Sequence, residues 1–153
     1  MLNYVFYKSK KETSKKTLLI LHGLFGASDN WKYIATKLSE QHDCYCLDLR
    51  NHGQSFHSDC HNYNGLAKDV YEFTASTIKS PVHLIGHSMG GKTAIQFAHN
   101  YPQFIKKLIV LDIAPKQYPR QHDEIFQAMH TLDFTQLKTR MDALPILIEN
   151  LKN

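Results

Sequence analysis

Four apolar runs punctuate the chain: TLLILHG (17–23), DCYCLDL (43–49), VHLIGH (82–87) and KKLIVLDIAP (106–115). A short run without polar alternation is what a strand needs when both of its faces are covered. Between the runs, apolar residues recur at helical spacing. Trp31, Ile34, Ala35 and Leu38 do so within 28–40, with Ser28 available as a cap. Leu66, Val70, Phe73 and Ile78 mark a second helix ending before Pro81, and residues 88–100 a third, closed by Tyr101-Pro102. Strands alternating with helices at these lengths predict an α/β fold, a mostly parallel sheet with helices on both faces. LNYVFY (2–7) alternates loosely and suits an edge strand.

Beyond Pro115 the pattern changes. Pro119 and Pro145 flank a helical stretch, LPILIENLKN (144–153) reads as the start of another helix, and no additional strand is legible. The reading is a sheet-bearing core over 1–115 and, over 116–153, the incomplete start of a helical cap. With 42% hydrophobic and 21% charged residues, the composition excludes a disordered or fibrous chain. The net charge of +4 has a local source, Lys8, Lys10, Lys11, Lys15 and Lys16 around Glu12. No aromatic residue interleaves these lysines, so the run reads as a solvated turn and not as a nucleic-acid groove.

The N-terminus lacks the basic start and apolar stretch of a signal peptide, and no apolar run is long enough for a membrane span. Cys44 and Cys46 share one face of a strand and are poorly placed to bridge each other. Together with an odd cysteine total of 3, this favours free thiols in a reducing cytoplasm. Oligomeric state is left open.

The chemistry gathers at GHSMG (86–90), which has the G-x-S-x-G form. A serine set on a sharp strand-to-helix turn presents its hydroxyl to solvent, and the flanking glycines remove side chains that would collide there. The context fits, because VHLI precedes it and KTAIQFAHN follows. HGLFG (22–26) closes the first buried strand. In a parallel sheet its loop opens into the same crevice as the elbow. Acyl transfer needs two backbone N–H groups aimed at the developing oxyanion. One would come from Met89, after the serine, and the other from Leu24, with Phe25 the near alternative.

LLILHGLFGASDNW, LDLRNHGQS, LIGHSMGGK and VLDIAP, in this order and spacing, resemble an α/β-hydrolase of the YbfF-like esterase branch. The resemblance runs from about residue 17 to about residue 130. It implies a serine hydrolase of acyl esters or thioesters, working through an acyl-enzyme on small-molecule substrates, with no metal or organic cofactor. Ser88 is then the nucleophile, Leu24 and Met89 form the oxyanion hole, and Asp112 matches the triad acid. A structural aspartate accepting backbone N–H groups is the other reading of Asp112. Asp48, Arg50 and His52 fit a hydrogen-bonded loop, and HSDCH (57–61) a polar loop lacking the paired spacing of a metal site.

The histidine base is harder to place. On this fold it follows the acid in chain order. His22, His42, His52, His57, His61 and His83 all precede Ser88, and His87 adjoins it on the tight elbow. His99 lies roughly 16 Å along the following helix. His122 and His130 sit in the helical tail with nothing in the sequence to hold them near the serine. The resemblance places the base after the last strand, beyond the cap, and so outside these residues. The elbow alone does not distinguish ester hydrolysis from perhydrolysis, carbon–carbon bond hydrolysis or a catalytically dead binding fragment.

Overall fold

A computed structural model describes residues 1–13, 15–116, 118 and 123–151. They form two compact units, Met1–Pro115 and Lys116–Asn153.

The first unit is built on a five-stranded sheet in the order β1-β3-β2-β4-β5. Its strands are β1 (Tyr4–Tyr7), β2 (Thr17–Leu21), β3 (Asp43–Leu47), β4 (Val82–His87) and β5 (Ile105–Leu111). β2 pairs in parallel with both β3 and β4, β4 pairs in parallel with β5, and only β1 runs antiparallel, against β3. The apolar runs of β2 and β4 are covered on both faces as expected, whereas that of β5 is not. In β2, Leu19 and Leu21 join Leu47, Val82 and Leu84 on one face, while Leu18 and Ile20 join Cys44, Cys46 and Ile85 on the other.

Helices cover both faces. α2 (Tyr63–Phe73) and α3 (Met89–Asn100) bring Leu66, Val70, Phe73, Ala94 and Phe97 onto the first face. α1 (Lys32–Leu38) and the turn before it bring Ala35 and Trp31 onto the second. Each large side chain withdrawn in this way contributes about 1.5–3 kcal/mol of hydrophobic stabilisation.

Two local expectations change. Ser28 does not cap α1. It opens a 3₁₀ turn, Ser28–Trp31, and its own N–H donates to Asp48 Oδ1 at 2.7 Å. That turn is capped by Ala27, whose N–H donates to Asn30 Oδ1 at 2.7 Å, and the residue before α1 is Trp31. In the second unit, the helix foreseen between Pro119 and Pro145 is shorter. α4 covers Asp123–His130, and α5 (Arg140–Leu151) contains Pro145. Asp133 accepts the Thr135 N–H at 2.9 Å, an Asx turn that competes with helical hydrogen bonding. Asp142 then restarts the helix by accepting the Lys138 and Thr139 N–H groups at 3.0 and 2.8 Å. Pro145 lies inside α5, where it lacks the one backbone bond it would donate to the Met141 carbonyl. Pro119 lies outside the described residues.

β5 stands last in the sheet order and, among the described residues, pairs with β4 alone. Its apolar side chains are open, with Leu108 at 37%, Ile109 at 44% and Leu111 at 40% exposure. No helix among the described residues is long and apolar enough to cross a membrane.

The three cysteines are free, Cys44 and Cys46 buried and Cys60 exposed. Burial, followed by the negative charge of neighbouring groups, pushes the Cys44 thiol up to about 11 and the Cys46 thiol up to about 12. Thiolate is the reactive form. Iodoacetamide at neutral pH is therefore expected to modify Cys60 alone in the native protein and all three cysteines in urea, as read by mass spectrometry.

Candidate active site

Ser88 occupies the turn between β4 and α3 at φ 52° and ψ −115°, a left-handed backbone that a non-glycine residue adopts only under constraint. The constraint is visible on both sides. The Ser88 N–H donates to the Leu111 carbonyl at the end of β5, and the Ser88 carbonyl accepts from the Lys92 N–H, each at 3.0 Å. The flanking glycines are needed for close approach. A Cβ on Gly86 would run into the Gly90 carbonyl and lie 2.8 Å from Gly91 Cα. One on Gly90 would strike the His22 carbonyl and come within 2.6 Å of the Leu21 carbonyl oxygen. α3 thus starts directly on the ends of β2 and β4, which holds Ser88 at the carboxyl edge of the sheet.

Facing it is the turn Gly23–Gly26, closed by the Gly26 N–H donating to the Gly23 carbonyl at 3.0 Å. Phe25, the third residue of the turn, has φ 59°. That closing bond leaves the Leu24 N–H uninvolved. A Cβ on Gly23 would lie 2.9 Å from His87 Nδ1 and 3.3 Å from Ser88 Cβ, so the turn passes immediately over the elbow. Gly23 and Met89 therefore approach Ser88 from two different elements, with Leu24 next in the turn. A cleft of about 450 Å³ opens beside the turn, walled by Leu24, Phe25, Trp31 and Ile34, with Asn30 and His87 as polar lining.

Asp112 directly follows β5 at φ 57°, with its side chain 84% exposed. Its Oδ2 lies 3.5 Å from Nε2 of His87. His87, set aside on sequence grounds because it adjoins Ser88, thus lines the cleft and reaches the aspartate. Of the other candidate bases, His99 lies on α3 and His130 on α4 in the second unit, while His122 falls outside the described residues.

Polar side chains from the loop after β3 brace this edge. Asp48 accepts from the Ser28 N–H at 2.7 Å, the Gln54 N–H at 2.9 Å and the Asn3 side-chain amide at 2.8 Å. Burial alone would raise its pKa, but these donors outweigh it and hold the carboxyl below its usual range. Gly53, at φ 54°, is packed so tightly on Asp48 that a side chain there would overlap the carboxylate. Arg50 forks onto both oxygens of Asp69 at 2.5 and 2.8 Å and donates to the Cys60 carbonyl at 2.6 Å, tying the loop to α2. Sequence reasoning placed Asp48 and Arg50 in a bonded loop but missed His22. The available signal was a histidine ending an otherwise apolar buried strand, which demands partners.

A mostly parallel sheet with a serine elbow and a glycine turn above it defines a hydrolase-type α/β architecture. Residues 16–140 match the family described as the alpha/beta hydrolase fold, and the chain belongs to it. It is 39% identical over 154 residues to a Haemophilus influenzae protein named as an esterase/lipase, covering 100% of this chain and 54% of that one. With esterase YbfF of Escherichia coli it shares 33% identity over 151 residues, 98% of this chain and 59% of that protein. The solved structure of a marine microorganism esterase is similar at a TM-score of 0.89 and 40% identity, over 99% of this chain and 59% of that one. The chain thus spans little more than half the length of these relatives.

Replacing Gly90 with Ala is expected to destabilise the protein by about 1–3 kcal/mol, measured by urea unfolding, because the new methyl overpacks against the ends of β2. Asp48 adds a pH dependence. Its folded pKa lies below the unfolded value of 3.8, so its contribution is complete above that value and is lost as pH falls through the folded pKa. Asp48→Asn should flatten the acid limb of the stability–pH curve relative to the parent protein.

Proposed function

We propose that this chain carries the nucleophilic half of a serine esterase acting on acyl esters or thioesters of small molecules. The observation that carries the reading is the strained turn at Ser88, φ 52°, lying under the Gly23–Gly26 turn at the carboxyl edge of the sheet. The Ser88 hydroxyl oxygen attacks the acyl carbonyl carbon while a base takes its proton. The carbonyl electrons move onto oxygen, where the Leu24 and Met89 N–H groups receive the charge. Collapse of the tetrahedral intermediate breaks the bond to the alcohol or thiol, which leaves with the proton returned by the base. Water then repeats the sequence on the acyl-Ser88 ester and releases the acid. None of these steps calls on a metal or organic cofactor.

Asp112 serves in this reading as the acid that orients the base. The base is a histidine from outside these 153 residues, and two observations support that. The relatives are longer, and the Asp112 carboxylate is open to an incoming imidazole at 84% exposure. The cleft beside Leu24 receives the acyl group. Buried free thiols at Cys44 and Cys46 suit a reducing, cytoplasmic setting.

A fluorophosphonate probe tests the nucleophile. Slow labelling confined to Ser88, located by peptide mapping and abolished in Ser88→Ala, supports the proposal. A folded chain that labels elsewhere or not at all overturns it. In an ester assay the chain alone should retain at most the ~10³–10⁴-fold acceleration over water that an oxyanion hole and binding supply without the full triad.

A further inference from the structure

His22 is 1% exposed, and a buried imidazole is costly unless both of its nitrogens are hydrogen-bonded. Both are. Nδ1 lies 2.7 Å from the Gly23 carbonyl oxygen, and the Leu49 N–H points at Nε2 at 3.0 Å. A backbone N–H can only donate, so Nε2 is the bare nitrogen and the proton sits on Nδ1, where it donates to Gly23. The same Gly23 oxygen also accepts the Gly26 N–H at 3.0 Å.

The Gly23 carbonyl and the Leu24 N–H belong to one peptide unit. In a planar trans peptide the two groups point in opposite directions, and no cis bond occurs among the described residues. Whatever fixes the direction of that oxygen therefore fixes the direction of the N–H. Two donors gripping the oxygen from one side commit the Leu24 N–H to the other side.

We propose that His22 is a positioning residue for the oxyanion hole: as the neutral Nδ1–H tautomer it ties the Gly23–Leu24 peptide to the backbone of Leu49, just beyond β3, and so aims the Leu24 N–H. This rests on the reading of Ser88 as nucleophile and Leu24 as donor. Burial depresses the pKa of His22, and nearby His52, with ring centroids 5.0 Å apart, acts in the same direction against the Gly23 carbonyl and Asp48. Both influences favour the neutral ring that the clamp requires.

Two substitutions separate the halves of the clamp. In His22→Asn the side-chain amide overlays Nδ1 and keeps a donor for Gly23. In His22→Gln the carbonyl reaches the place of Nε2 and keeps an acceptor for Leu49. Imidazole ¹⁵N–¹H spectra of the 153-residue chain should show His22 with its proton on Nδ1. The Leu24 and Gly26 amide resonances should stay near their parent positions in the Asn variant and move in the Gln variant. Fluorophosphonate labelling of Ser88 should fall about tenfold or more in the Gln variant and stay within about threefold in the Asn variant, against the ~10²–10³-fold cost of losing an oxyanion donor outright. A proton on Nε2, a cationic ring at neutral pH, or equal effects of the two variants would overturn the proposal. The tautomer measurement decides even where a variant does not fold. Failure of the nucleophile reading shows itself separately, as no labelling of the parent chain while the tautomer and amide resonances behave as stated.

Discussion

The close approach of backbone to backbone at Gly86 and Gly90 is the constraint on which the rest of this structure hangs. Helix α3 begins where β4 ends, with no room for a side chain between the helix start and the ends of β2 and β4. That contact forces Ser88 into a left-handed conformation and brings the β2 turn across it. The apolar strands below supply the force: Leu19, Leu21 and Leu84 are fully buried and hold the register that aligns the strand ends. Core packing and presentation of the serine are thus one arrangement seen from two ends.

Around this rigid centre, polar groups do what apolar packing does beneath it. The loop after β3 has little hydrophobic surface of its own, and its shape is set by Asp48 and Arg50. Each is buried, and each is satisfied by backbone groups from separate segments. Such groups stabilise only while their partners are complete. The carboxyl edge of the sheet is consequently held by a few high-stakes hydrogen bonds and not by many weak contacts.

Much of this was legible in the residues. Uninterrupted runs such as TLLIL and VHLI could only be strands covered on both faces, and the glycines around Ser88 announced a turn without space for side chains. The strand order was not legible. Nothing in VHLIGH says that it pairs with β2 and not with β3, because register is decided by packing of both faces together. The start of α1 was misplaced because Asp48, twenty positions away, claims the Ser28 N–H. Pro145 read as a boundary because a side chain three residues earlier, Asp142, sets where the helix begins. His87 reaches Asp112 through a pairing of β4 and β5 that sequence spacing alone does not reveal.

The open flank of β5 bears directly on Asp112. The strand that leads to this residue presents Leu108, Ile109 and Leu111 to solvent and, among the described residues, pairs along one side only. Any segment that added itself there would do so in register with the strand whose last residue is Ser88's hydrogen-bond partner, Leu111. Closing the sheet there would cover that apolar flank and steady the strand end on which the Ser88 turn rests, so the edge most open to pairing with another chain is also the one that supports the turn.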